Sequence, residues 1–146
     1  MTRVTPFAGV ALVVATLALM ACSDGGEPGL PPTPVAPVDG TLTLRAFEWG
    51  FEPESIILQE GQEVRIEFKN DGELLHDFKI EPIEAEVLEP TSTGGLEADR
   101  DDLFIGVDSG DGGTLAFVPK QTGTFAFWCT INDHRGRGME GTLIIE

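Results

Sequence analysis

Residues 123–129 read Gly123-Thr124-Phe125-Ala126-Phe127-Trp128-Cys129, with Phe125, Phe127 and Cys129 at every second position. A period of two is the signature of a strand that buries one face. The pattern recurs outward from this stretch. Val64, Ile66 and Phe68 alternate with Arg65, Glu67 and Lys69, and Phe78 and Ile80 alternate with Lys79 and Glu81. Leu115 with Phe117, and Leu143 with Ile145, do the same. Turn formers stand between the runs: Glu60-Gly61-Gln62, Asn70-Asp71-Gly72, Asp111-Gly112-Gly113 and Gln121-Thr122-Gly123. No convincing amphipathic helix interrupts them. The expected fold is therefore all-β, a Greek-key sandwich or barrel of about seven or eight strands.

The strand pattern begins near residue 41, and what precedes it has a different character. Arg3 leads an apolar stretch from Val10 to Met20, broken only by Thr16 and too short to span a membrane. It ends in Leu19-Met20-Ala21-Cys22. This is a secretory leader, and its last four residues resemble a bacterial lipobox, which implies cleavage before a lipidated Cys22. Several acyl chains give stable anchoring where a single one does not. Residues 23–40 hold five prolines and four glycines and read as a semi-extended tether. The expected division is thus a signal peptide at 1–21, the lipidated cysteine and tether at 22–40, and one domain at 41–146. The implied location is extracytoplasmic, on a bacterial membrane, periplasmic or cell-surface.

Charge and composition exclude several functions. The formal charge is −16, and loss of Arg3 with the leader makes it −17, so nucleic acid is not an expected partner. There is no P-loop and no serine–histidine pairing in a recognisable context. Residues 81–102 carry eight acidic side chains and read as a long connection with a short helix near 91–99. Those carboxylates, with Asp108 and Asp111, suggest calcium, but their spacing is not that of an EF-hand loop; a solvated acidic loop is the reading preferred.

Four residues carry the chemistry. His76 shares a face with Phe78 and Ile80, and Cys129 shares one with Phe125 and Phe127, so both point inward at strand ends. After Cys129, His134 follows five residues on and Met139 five after that, in a loop rich in turn formers. Taken singly, Cys129 is a small buried hydrophobe, His76 a surface or capped histidine, and Met139 core filling. Taken together, both histidines of the chain and its one cysteine outside the lipobox fall into a single pattern. Two imidazoles, a thiolate and a weak thioether are the ligand set of blue copper. Zinc also accepts a cysteine and two histidines, although the methionine gives it nothing. A cysteine–histidine nucleophile would need an oxyanion hole and an orienting group that nothing in the sequence nominates.

The domain resembles a cupredoxin, the plastocyanin/azurin family of β-sandwiches. The resemblance is carried by Phe51–Ile56, Glu60–Val64, Asn70-Asp71-Gly72 before His76, Gly123-Thr124-Phe125 leading to Cys129, and the closing Gly138–Leu143. The Cys-x4-His-x4-Met spacing is similar to that of rusticyanins and sulfocyanins. It implies one copper ion held by His76, Cys129, His134 and Met139. One cysteine in the loop makes the site mononuclear, and two histidines cannot furnish the many-histidine sites of multicopper oxidases within this chain. The family often places Asn or Ser after the first histidine, bonded to the loop beside the cysteine. Here it is Asp77, expected to reach the Thr130 backbone or side chain, where a carboxylate favours Cu(II) and lowers the potential.

A filled coordination sphere implies electron transfer rather than catalysis, so no enzymatic activity is expected. By the resemblance His134 is the electron port, and Arg135 and Arg137 beside it form a small positive collar for docking on an acidic body. The implied partners are redox proteins such as a c-type cytochrome, a terminal oxidase or a reductase, met by a monomeric domain. Trp49 and Trp128 are read as packing rather than relays. Copper storage or delivery is the alternative, and a structural module with an empty site is a third that the complete ligand set disfavours. No disulfide is expected if Cys22 is lipidated.

Overall fold

The structure is a computed structural model that describes residues 30–89 and 103–146. The leader, Cys22, the first part of the tether and the helix expected near 91–99 lie outside the described residues.

The described residues form ten strands: β1 Thr41–Phe47, β2 Gly50–Glu52, β3 Ser55–Leu58, β4 Val64–Asn70, β5 His76–Ile80, β6 Ala85–Glu89, β7 Phe104–Val107, β8 Gly112–Pro119, β9 Gly123–Trp128 and β10 Glu140–Ile145. They make two five-stranded sheets, ordered β2-β1-β4-β8-β6 and β3-β10-β9-β5-β7. The pairs β1/β4 and β3/β10 are parallel and the other pairings antiparallel, so the chain repeatedly crosses between sheets, as a Greek-key sandwich requires.

The strand number exceeds the seven or eight expected because the added strands hide their period. β2 has three residues. β7 is buried at all four positions and so shows no alternation. β6 corrects the reading of 81–102 as connection throughout. Ala85 and Val87 pack against the core, while Glu86 points outward and pairs with Lys120 at 3.1 Å. The density of acidic residues masked a strand whose apolar face is made by two modest side chains.

The residues expected to belong to the tether also reach the domain. Val35 N–H donates to the Ser55 carbonyl at 2.9 Å, and Ile57 N–H donates back to the Val35 carbonyl at 3.0 Å. The backbone around Val35 thus covers the free edge of β3 in parallel, which blunts an exposed sheet edge.

Four phenylalanines join the sheets. Phe51 and Phe68 come from one, Phe78 and Phe127 from the other, and all are fully buried. Phe127 meets Phe51 at 5.3 Å and Phe78 at 5.2 Å between ring centroids, the tilted and edge-on geometries that aromatic pairs prefer. Phe78 lies two residues after His76, and Phe127 two before Cys129. The inward face that builds the core therefore continues, at its end, into the site.

Candidate metal centre

β5 begins at His76 and β9 ends one residue before Cys129. Their ladder pairs Ile80 with Phe127 and Lys79 with Trp128, and goes no further. Beyond it a side chain replaces the ladder. Asp77 Oδ1 accepts the Thr130 backbone N–H, and Oδ2 accepts the Thr130 hydroxyl, each at 2.5 Å. Asp77 N–H donates to Cys129 Sγ at 3.5 Å. The two strand ends are held beside each other without being zipped together, which leaves their inward side chains free.

The loop after Cys129 folds back by its own turns. His134 N–H donates to the Ile131 carbonyl at 3.0 Å, and a 3-10 turn over Arg135–Arg137 follows. It closes on Gly138 at φ +106°, a conformation that side-chain-bearing residues rarely adopt. Met139 N–H then donates to the His134 carbonyl, and Cys129 N–H to the Met139 carbonyl, both at 3.1 Å. The backbones of Cys129, His134 and Met139 are thereby tied in a closed circuit.

The side chains converge. Cys129 Sγ lies 3.4 Å from His134 Nδ1, and the rings of His76 and His134 meet edge-on at 5.1 Å. One donor atom from each of His76, Cys129 and His134 falls within 4.8 Å of the others, and all three residues are buried. Met139 is fully buried at the closing end of the same loop.

The electrostatics fit a metal. His76 is wholly buried, and neither of its ring nitrogens has a hydrogen-bond partner among the described residues. A buried polar group left this way costs about 1–3 kcal/mol, a cost that metal ligation removes. Burial pulls the His76 pKa down against the opposing pull of Glu48, which favours the neutral imidazole that ligation needs. Burial pushes the Cys129 thiol up to about 11, so a metal that takes the thiolate must displace its proton. Desolvation also raises Asp77, opposed by its bonds to Thr130. One soft thiolate and two imidazoles in a dry pocket are suited to a single copper ion.

One participant was not legible beforehand. Glu48, in the turn between β1 and β2, places Oε1 at 3.4 Å from His76 Nε2. It also accepts the N–H groups of Glu73 at 2.7 Å and Leu74 at 3.1 Å. Burial raises its carboxyl, but bonds from backbone N–H groups, its own included, hold it below the usual range. In a chain with 25 acidic residues, nothing in the sequence sets this one apart.

The surroundings of His134 also differ from the expectation. Its side chain is buried, and Trp49 stands edge-on to it at 4.9 Å, a ring contact with the site rather than core packing. Arg137 lies over the Trp49 ring at 4.4 Å and pairs with Asp133 at 3.1 Å. Arg135 lies over Trp128 at 4.3 Å and pairs with Glu140 at 2.9 Å. Each cation of the expected collar thus has a carboxylate beside it, which offsets its charge.

No curated protein matches the chain in sequence. Among solved structures, dithionite-reduced auracyanin from the photosynthetic bacterium Roseiflexus castenholzii aligns with a TM-score of 0.58 at 21% identity, over 73% of this chain and 97% of that one. Auracyanin A, a "blue" copper protein from Chloroflexus aurantiacus, gives 0.52 at 20% identity over 73% and 100% of the two chains. A multicopper oxidase from Campylobacter jejuni, a metallo-oxidase, gives 0.55 at 14% identity over 77% of this chain but 30% of its own. At such identities the likeness is one of fold, the cupredoxin sandwich. A profile described as multicopper oxidase matches residues 31–146. Copper is the metal that this family and its blue copper neighbours imply, and His76, Cys129 and His134 provide a fitting site for it. By its match over all but the first thirty residues, the chain belongs to the multicopper oxidase family, through a domain of cupredoxin fold.

Proposed function

We propose that the domain is a mononuclear type 1 copper protein that passes single electrons between redox partners, held to a bacterial membrane through Cys22. The supporting observation is the dry cluster itself: His76 with two unpartnered nitrogens, beside a Cys129–His134 pair 3.4 Å apart. Bound copper supplies one reversible electron. The chain supplies the rest. Cys129 gives a soft thiolate, and His76 and His134 give imidazoles acceptable to both oxidation states, with Met139 as the weak fourth donor. The Asp77–Thr130 bonds and the backbone circuit through Met139 fix the separation of these donors, so little need move when the charge changes.

Two histidines in the sequence do not furnish a many-histidine oxidase site, so a carrier is favoured over an oxidase despite the family. A c-type cytochrome, a terminal oxidase or a reductase is the kind of partner such a carrier meets. The test is the visible spectrum of the chain lacking residues 1–22 after addition of Cu(II), beside Cys129→Ser. An intense thiolate-to-copper band that ascorbate bleaches and the variant lacks is the expected result. Copper uptake without that band would refute the type 1 assignment and leave storage or delivery ahead.

A further inference from the structure

We propose that Glu48 is the positioning carboxylate of His76: it accepts a hydrogen bond from the Nε2–H, leaves Nδ1 for the metal, and sets a negative charge behind that imidazole. The inference rests on the copper reading and deepens it.

Three observations converge. Glu48 Oε1 lies 3.4 Å from His76 Nε2, and neither ring nitrogen of His76 has a hydrogen-bond partner among the described residues. The same oxygen is already fixed by the N–H groups of Glu73 and Leu74, so the β1–β2 turn grips the loop that delivers His76. Gly72 keeps the approach clear. A Cβ there would stand 2.6 Å from Glu48 Oε1 and 2.8 Å from His76 Nε2. Asn70 and Ser109 hold Gly72 in that place, through the Gly72 N–H at 3.0 Å and the Gly72 carbonyl at 2.6 Å.

The chemistry follows from the two ring nitrogens. An imidazole whose far N–H is held by a carboxylate has its tautomer and ring orientation fixed and is a more basic ligand. A small ring tilt closes the gap from 3.4 Å to a hydrogen bond. The negative charge favours the more positive oxidation state of the metal. A plain loop clamp, which only ties the Glu73 and Leu74 amides, would do neither.

The full chain is compared with Glu48→Gln, Glu48→Ala and Gly72→Ala, metal-free and copper-loaded. Glutamine keeps an oxygen for the two amides and loses the charge. Gly72→Ala keeps the carboxylate and wedges it from the ring, so the test survives if Glu48→Ala does not fold. In the metal-free protein, nitrogen NMR of His76 is expected to show the Nε2–H form prevailing in the parent and losing its excess in Glu48→Ala and Gly72→Ala. In the loaded protein, Glu48→Gln is expected to shift the balance toward Cu(I) about tenfold, a rise in potential of about 59 mV for one electron. A parent ring protonated at Nδ1 overturns the proposal. So does a potential unchanged in Glu48→Gln while Glu48→Ala is merely less stable, because that is the clamp. If no thiolate band forms, the copper reading fails, and the tautomer comparison alone decides on Glu48.

Discussion

Asn70, the last residue of β4, is a buried neutral polar residue tied to the loop before His76, and its removal has a magnitude that can be worked out. Its side chain is 1% exposed and makes three hydrogen bonds. Nδ2 donates to the Leu74 carbonyl at 2.7 Å and the Val107 carbonyl at 3.1 Å, and Oδ1 accepts the Gly72 N–H at 3.0 Å. Alanine leaves the bonds to Val107 and Gly72 unmade in a buried setting, whereas the Leu74 carbonyl is partly reachable by water. Two buried orphans at about 1–3 kcal/mol each, plus a smaller loss at Leu74, give about 3–5 kcal/mol. That is a large share of the roughly 5–15 kcal/mol by which domains are stable. Asn70→Asp is expected to cost at least as much. It keeps an acceptor for Gly72 but turns a second one toward two carbonyls. The assay is urea unfolding of the metal-free chain, read as the midpoint at constant slope. A loss below about 1 kcal/mol for alanine, or an aspartate variant as stable as the parent, would refute the claim that this amide frames the loop carrying His76.

Two further outcomes are expected. Thr130→Val, which preserves shape but removes the hydroxyl that donates to Asp77 at 2.5 Å, should cost about 1.5–3 kcal/mol in thermal or urea unfolding. A neutral result would mean that the backbone N–H bond alone joins the two strand ends. Copper loading should release a proton from Cys129, because the metal takes the thiolate while burial keeps the free thiol protonated up to about 11. Raising the pH toward that value removes the competing proton, so apparent affinity should rise about tenfold per pH unit above the histidine range. Binding without proton uptake by buffer would contradict thiolate ligation.

Much of this was legible in the sequence because strands with one wet face announce themselves. β4, with Val64, Ile66 and Phe68 buried against an outward Arg65, Glu67 and Lys69, is such a case. β7 was not, because all four of its residues are buried and a short apolar run carries no period. The same parity that identified β5 and β9 put His76 and Cys129 inside, and loop spacing supplied His134. The Asp77–Thr130 link was readable because it joins neighbours of the two strand ends. Glu48 was not. It reaches His76 through a turn 28 positions away in sequence, and such a contact depends on the pairing of β1 with β4 and on the absence of a side chain at Gly72.

The two carboxylates near the cluster are placed to do different work. Asp77 was expected to lower the potential by its charge, but both of its oxygens are engaged by Thr130 and its own N–H points at Cys129 Sγ. Those bonds spread the carboxylate charge into the loop, and an N–H aimed at the sulfur draws electron density from it, which opposes the charge effect. Asp77 is therefore better suited to fixing where the thiolate sits than to setting how readily the metal is oxidised. Glu48 has the reverse arrangement. It faces the far nitrogen of His76 and retains its charge through bonds from backbone N–H groups. A site in which one carboxylate sets geometry from the cysteine side and another sets charge from the histidine side lets the potential change without loosening the thiolate. Such a separation suits a carrier whose donors must keep their places as its charge alternates.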